Sequence, residues 1–133
     1  MTTGTLVLVV DDDPDILDAI CDILLGEGYR VARARHGLEA LDRVAEEVPG
    51  LILLDLMMPV MDGRSFALAL RERGLGERVP IVVISADGNP ERAVEVGARA
   101  FLAKPFDIDS LLARVADSAG AAETTGSTGP SLA

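Results

Sequence analysis

The chain has one cysteine, Cys21, one histidine, His36, and no tryptophan. No His or Cys cluster is available to build a soft-metal site. Cys21 lies among apolar residues of a helical segment and reads as a buried core thiol rather than a reactive one. His36 precedes Gly37 at a helix start, away from the acidic residues discussed below, and reads as a surface turn residue rather than a phosphotransfer group. Basic charge is also scarce: 12 Lys and Arg against 22 Asp and Glu give a net charge of −10. Phosphates repel such a surface, so neither nucleic acid nor an anionic membrane is expected as a direct partner. No apolar stretch approaches the length of a membrane span, and the N-terminus lacks the basic and apolar regions of a signal peptide. A cytoplasmic location is the expectation. Repeats of solenoid length are absent.

What is present is a series of short apolar runs. Leu6-Val7-Leu8-Val9-Val10 ends in Asp11 and Asp12, and Leu51-Ile52-Leu53-Leu54 ends in Asp55. Ile81-Val82-Val83-Ile84 ends in Ser85, and Ala100-Phe101-Leu102-Ala103 ends in Lys104-Pro105. Runs that are apolar throughout, rather than alternating, suit a parallel sheet buried on both faces. Arg30 to Ala34 reads as a shorter second strand.

Segments of helical period separate these runs. Asp13 can cap a helix with Pro14 at its first position and Ile16, Ile20, Ile23 and Leu24 along one face; Gly26 and Gly28 end it. A second helix is predicted from Gly37 to about Val48, with Leu38, Leu41, Ala45 and Val48 inward and Pro49-Gly50 as terminator. A third spans about Arg64 to Arg73 and buries Phe66 and Leu70. A last one follows Asp107, with Ile108, Leu111, Leu112 and Val115 on its inner face. The β-α unit thus repeats about five times, with short connections that imply right-handed crossovers. At 133 residues this is one domain with room for a core. From about Ser118 the chain turns to Gly, Ala, Ser and Thr, and a flexible tail is expected over 120–133.

In an open parallel sheet, ligands bind beyond the carboxyl ends of the strands, where the strand order reverses. Four strands deliver three acids, one hydroxyl and one ammonium to that end. If the first and third strands are neighbours, Asp11, Asp12 and Asp55 face one another and repel unless a cation sits among them. Hard oxygen ligands in an open site suit Mg2+. With a lysine and a hydroxyl opposite, this is a phosphoryl-binding arrangement in which Asp55 can act as nucleophile.

Four stretches carry a resemblance: Val9-Val10-Asp11-Asp12, Asp55 through Gly63 (DLMMPVMDG), Ile84-Ser85-Ala86, and Phe101-Leu102-Ala103-Lys104-Pro105-Phe106. Over residues 5–119 the chain resembles a receiver domain of two-component response regulators. The resemblance implies a doubly wound α/β fold of the flavodoxin type. Its five-stranded parallel sheet would have the order 2-1-3-4-5, with helices on both faces. It also implies transfer of a phosphoryl group from a histidine kinase or phosphotransfer protein to Asp55. Asp12 would then bind Mg2+ directly, Asp11 mainly through water, and Met57 through its backbone carbonyl. Ser85 and Lys104 would each meet a phosphoryl oxygen, and Lys104-Pro105 is the candidate for a cis bond. Phe101 stands where the family places a rotating aromatic coupled to the Ser85 hydroxyl.

Three departures from the family accompany the match. The interval from Ser85 to Gly97 is shorter than in many receivers, so the fourth helix is expected to be short and to start near Pro90. Met57 and Asp87 occupy variable positions that influence phosphoryl lifetime in the family. No effector domain follows Ala133 in this sequence, which reads as a stand-alone receiver. The expected function is a phosphorylation-controlled switch that changes affinity for a partner protein. Beyond forming and losing its own phosphoaspartate, no enzyme activity is expected. Two alternatives stand beside it. Asp11-Asp12-Asp13 matches the opening motif of haloacid-dehalogenase-like phosphatases, but a late acidic pair and a cap are missing. A degenerate receiver would act as a constitutive scaffold, which the intact acids and lysine oppose.

Overall fold

The structure is a computed structural model and describes residues 4–56, 61, 63–76, 78–86 and 90–127. In chain order the elements are β1 (Leu6–Val10), α1 (Pro14–Gly26), β2 (Arg30–Ala34), α2 (Gly37–Glu46), β3 (Leu51–Asp55), α3 (Gly63–Glu72), β4 (Ile81–Ser85), α4 (Pro90–Glu95), β5 (Ala100–Ala103) and α5 (Ile108–Ser127). The strands form one parallel sheet of order β2-β1-β3-β4-β5.

Burial explains why the central strands are apolar throughout. Each residue of β3 and β4 is buried, whereas the edge strands β2 and β5 keep exposed positions. Alternate residues then feed two cores. Leu8, Val10, Ile52, Leu54, Ile81 and Val83 pack under α2, α3 and α4, with Phe66 and Leu70 at the centre. Val7, Val9, Leu51, Leu53, Val82 and Ile84 pack under α1 and α5. Truncation of a fully buried ring such as Phe66 would cost about 3–5 kcal/mol, so this sandwich holds the strand ends in place.

The caps follow from local chemistry. The Asp13 carboxylate accepts the Asp15 and Ile16 backbone N–H groups at 2.9 and 3.4 Å, with Pro14 beginning α1. At α5, Asp107 accepts the Ser110 N–H at 2.7 Å, and that bond lowers the Asp107 pKa. His36 caps α2 through Nδ1, which accepts the Glu39 N–H at 3.3 Å, while Glu39 accepts the Arg35 N–H at 2.8 Å. This reciprocal cap gives His36 a structural role beyond that of a surface turn residue.

Several inward positions differ from expectation. In α2 the buried residues are Gly37, Ala40, Leu41 and Val44. Leu38 is 47% exposed and Val48 52% exposed, and Ala45 is also exposed. The helix stops at Glu46 and Glu47 is extended, so Val48 never joins the helical face. Ile108 is 54% exposed because it opens α5 beside the cap, whereas Leu111 and Val115 are buried. In α1, Leu17 and Cys21 lie deeper than Ile16 and Ile23. The fourth helix is six residues long and begins at Pro90, as the short interval before Gly97 implies. The last helix continues to Ser127, past position 120, where the tail was expected to begin. Among the described residues, no helix is long and apolar enough to cross a membrane.

Candidate functional site

Register brings the polar strand ends together. Val10 is level with Leu54, so Asp11 and Asp55 leave adjacent strands side by side. Asp55 is level with Ile84, and Ser85 with Ala103, so Ser85 and Lys104 follow one step further along. The Asp11 N–H donates to the Ala34 carbonyl at 3.1 Å and the Lys104 N–H to the Ser85 carbonyl at 3.0 Å, which carries the ladder into the site.

Asp11, Asp12 and Asp55 each place a carboxylate oxygen within 4.8 Å of the others. Asp11 and Asp55 are buried, Asp12 is exposed, and Ser85 is buried beside them. Two like charges about 4 Å apart cost on the order of 4 kcal/mol at an effective dielectric constant near 20. Lys104 relieves part of this. Its Nζ lies 2.9 Å from Asp11 Oδ2 and 3.4 Å from Asp55 Oδ2. Burial pulls the Lys104 pKa downward, but the hydrogen bond and charge of Asp11, with the charge of Asp55, outweigh it and leave it raised. Asp11 has a second bond, its Oδ1 accepting the Asp13 N–H at 2.9 Å.

Among the described residues, three carboxylates against one ammonium leave two negative charges, which one divalent cation would balance. The donors are oxygens alone, and one of the acids opens to solvent, so the residues fit a partly hydrated Mg2+. The candidate ligands Asp11, Asp12 and Asp55 are therefore brought together, with Ser85 and Lys104 beside them. Met57 and Asp87 lie outside the described residues. Lys104-Pro105 is cis. Phe101 is partly buried on β5 and packs against the core beneath α3 and α4. His36 stands apart from the cluster, at its cap.

One contact beside the site was not anticipated. The Gly37 N–H donates to the Met61 carbonyl at 3.2 Å, and a Cβ on Gly37 would lie 2.6 Å from Met61 Cγ. The start of α2 thus grips the chain between β3 and α3, six residues after Asp55. A glycine at the first position of a helix, where alanine has the better propensity, was the available signal.

The family model described as "Response regulator receiver domain" matches residues 7–116. The chain belongs to this family. Among curated relatives, the response regulator MprA of Mycobacterium tuberculosis is 41% identical over 112 residues, which are 82% of this chain and 48% of MprA. The transcriptional regulatory protein PrrA of Mycobacterium bovis is 43% identical over 116 residues, or 85% of this chain and 49% of PrrA. This receiver chain spans about half the length of the curated relatives it matches. Among solved structures, the chemotaxis protein CheY4 of Vibrio cholerae superposes with a TM-score of 0.81 at 33% identity, covering 87% of this chain and 99% of that one. A CheY-like receiver domain protein of Methanospirillum hungatei gives a TM-score of 0.83 at 28% identity, covering 92% and 99%.

Proposed function

We propose that this receiver is a phosphorylation-controlled switch whose phosphoacceptor is Asp55. The observation that carries the reading is the buried Asp55 carboxylate, grouped with two further acids and bridged by Lys104. Asp55 attacks the phosphorus of a phosphohistidine on a partner kinase or phosphotransfer protein. An oxygen–phosphorus bond forms, the phosphorus–nitrogen bond breaks, and its electron pair stays on the imidazole. Asp11, Asp12 and Asp55, with the Met57 carbonyl, would hold Mg2+, which neutralises charge on the transferring group when bound. Asp12 is the better direct ligand, since Asp11 already bonds Lys104 and the Asp13 N–H. Lys104 turns from the carboxylates to a phosphoryl oxygen, and the Ser85 hydroxyl donates to another. Phe101 then shifts inward behind Ser85. The receiver's catalysis is limited to forming and losing its own phosphoaspartate, and it acts in the cytoplasm without itself contacting nucleic acid.

The output is a change of affinity for a protein partner. Added negative charge draws Ser85 and Lys104 inward, so residues 86–107 respond most. Acetyl phosphate with Mg2+ is expected to add one base-labile phosphoryl group, seen by intact mass, and Asp55→Asn to abolish it. Normal labelling of the Asn variant would rule Asp55 out. Beryllofluoride should shift amide resonances across 86–107 while α1 stays quiet. Shifts confined to residues touching the ligand would favour a scaffold instead.

A further inference from the structure

At the opposite rim of the sheet, beside the first residue of β4, a cleft of about 490 Å3 opens between α3 and the turn after α4. This lies within the range of small-molecule sites. Ala67, Val79, Ile81 and Val96 make apolar walls, and among the described residues the charged side chains on it are those of Arg71 and Arg99. Among the described residues no carboxylate lines the cleft. Gly97, at φ 72°, turns the chain close to Arg71: a Cβ there would lie 3.8 Å from Arg71 Nη2. The guanidinium therefore reaches from α3 toward the turn that carries Arg99.

The charge balance makes this pair informative. Acids outnumber bases by 22 to 12 in this chain, and Arg30, Arg33 and Arg43 each meet one: Glu47, Asp18 and Glu46. Arg71 and Arg99 pair with no acid among the described residues, yet both face one apolar cleft. Two guanidiniums so placed can hold a carboxylate or phosphate through forked hydrogen bonds, while the walls cover an apolar body.

We propose that this cleft binds a small organic anion with an apolar body and a single carboxylate or phosphate group. Ile81 on its wall and Ser85 in the acidic site stand at opposite ends of β4, about 13 Å apart at strand rise. The two sites are therefore separate, and this proposal does not depend on phosphorylation of Asp55.

The test is an amide-resonance titration of the 133-residue chain with phenyl phosphate, benzoate, inorganic phosphate and benzyl alcohol. Phenyl phosphate or benzoate should give saturable shifts at Gly76, Val79, Ile81, Gly97 and Arg99, and the tighter of the two identifies the head group. Inorganic phosphate and benzyl alcohol should each bind at least about tenfold more weakly, since each supplies half of the recognition. Arg71→Gln and Arg99→Gln, both exposed and expected to fold, should each raise the Kd about tenfold, and Asp55→Asn should leave it unchanged. The proposal is overturned by no saturation at millimolar probe, by shifts centred on Lys104, by equal binding of inorganic phosphate, or by an unchanged Kd in the double arginine variant.

Discussion

The two rims of the sheet handle charge in opposite ways. At the carboxyl rim, carboxylates of Asp11 and Asp55 are buried and share the Lys104 ammonium, so each charge depends on its neighbours. At the amino rim, Arg71 and Arg99 are exposed beside an apolar cleft and depend on no described partner. Desolvation makes the first arrangement costly to disturb, while water screens the second. Identical changes of one charge should therefore have unequal effects at the two rims.

The largest expected contrast is in stability. Lys104→Met leaves Asp11 and Asp55 buried without their cation and should cost roughly 3–5 kcal/mol in urea unfolding with EDTA present. Mg2+ should recover part of that loss. Arg71→Gln in the same assay should move stability by no more than about 0.5 kcal/mol. Equal losses at the two positions would break the comparison.

Metal affinity sharpens it within the acidic rim. Asp12→Asn should weaken Mg2+ binding about tenfold or more, and Asp11→Asn less, because removing a direct ligand costs more than removing an indirect one. Titration of both variants by calorimetry decides, and a greater loss at Asp11 would exchange their roles.

A comparable effect concerns the seam next to that rim. Alanine normally favours a helix over glycine, yet Gly37→Ala should destabilise by about 1–3 kcal/mol, since its Cβ has no room beside Met61. It should also slow labelling of Asp55 by acetyl phosphate. A gain in stability would show that Met61 moves aside freely.

The smallest effect tests the core under α1. Burial pushes the Cys21 thiol pKa up, the dominant cause, although Arg33 opposes it. Because the folded value is the higher, this group favours the folded state below the ordinary thiol value of about 8.5 and loses that contribution as pH rises through the folded value. Native protein at pH 8 should react with a thiol reagent far more slowly than protein in urea. Fast native labelling would contradict the burial.

How much was legible in the sequence varies by element. Strands β1 and β5 end with their apolar runs, and β3 and β4 run one residue further, to Asp55 and Ser85, because the buried centre of the sheet favours apolar residues until the chain reaches the rim. The Asp13-Pro14 cap, the short α4 and the placing of Asp11, Asp55, Ser85 and Lys104 at strand ends were legible for similarly local reasons. The inner face of α2 was not. Leu38, Leu41, Ala45 and Val48 make an acceptable apolar pattern, but of these only Leu41 is buried, beside Ala40 and Val44, and Met61, distant in sequence, fits against Gly37 at the start of the helix. His36 read as a turn residue because its capping role depends on backbone N–H groups that side-chain patterns do not display.

By itself the sequence determined the parallel α/β class and the residue types delivered to the carboxyl rim, because hydrophobic period and turn chemistry are local properties. Only the tertiary structure decided which charges meet. The register of β1 against β3 sets Asp11 beside Asp55, and that of β4 against β5 brings Lys104 within 2.9 Å of Asp11. It likewise decided that Arg71 and Arg99, 28 positions apart, face one cleft. Coulomb and hydrogen-bond energies depend on distance in space, and the folded chain alone sets that distance.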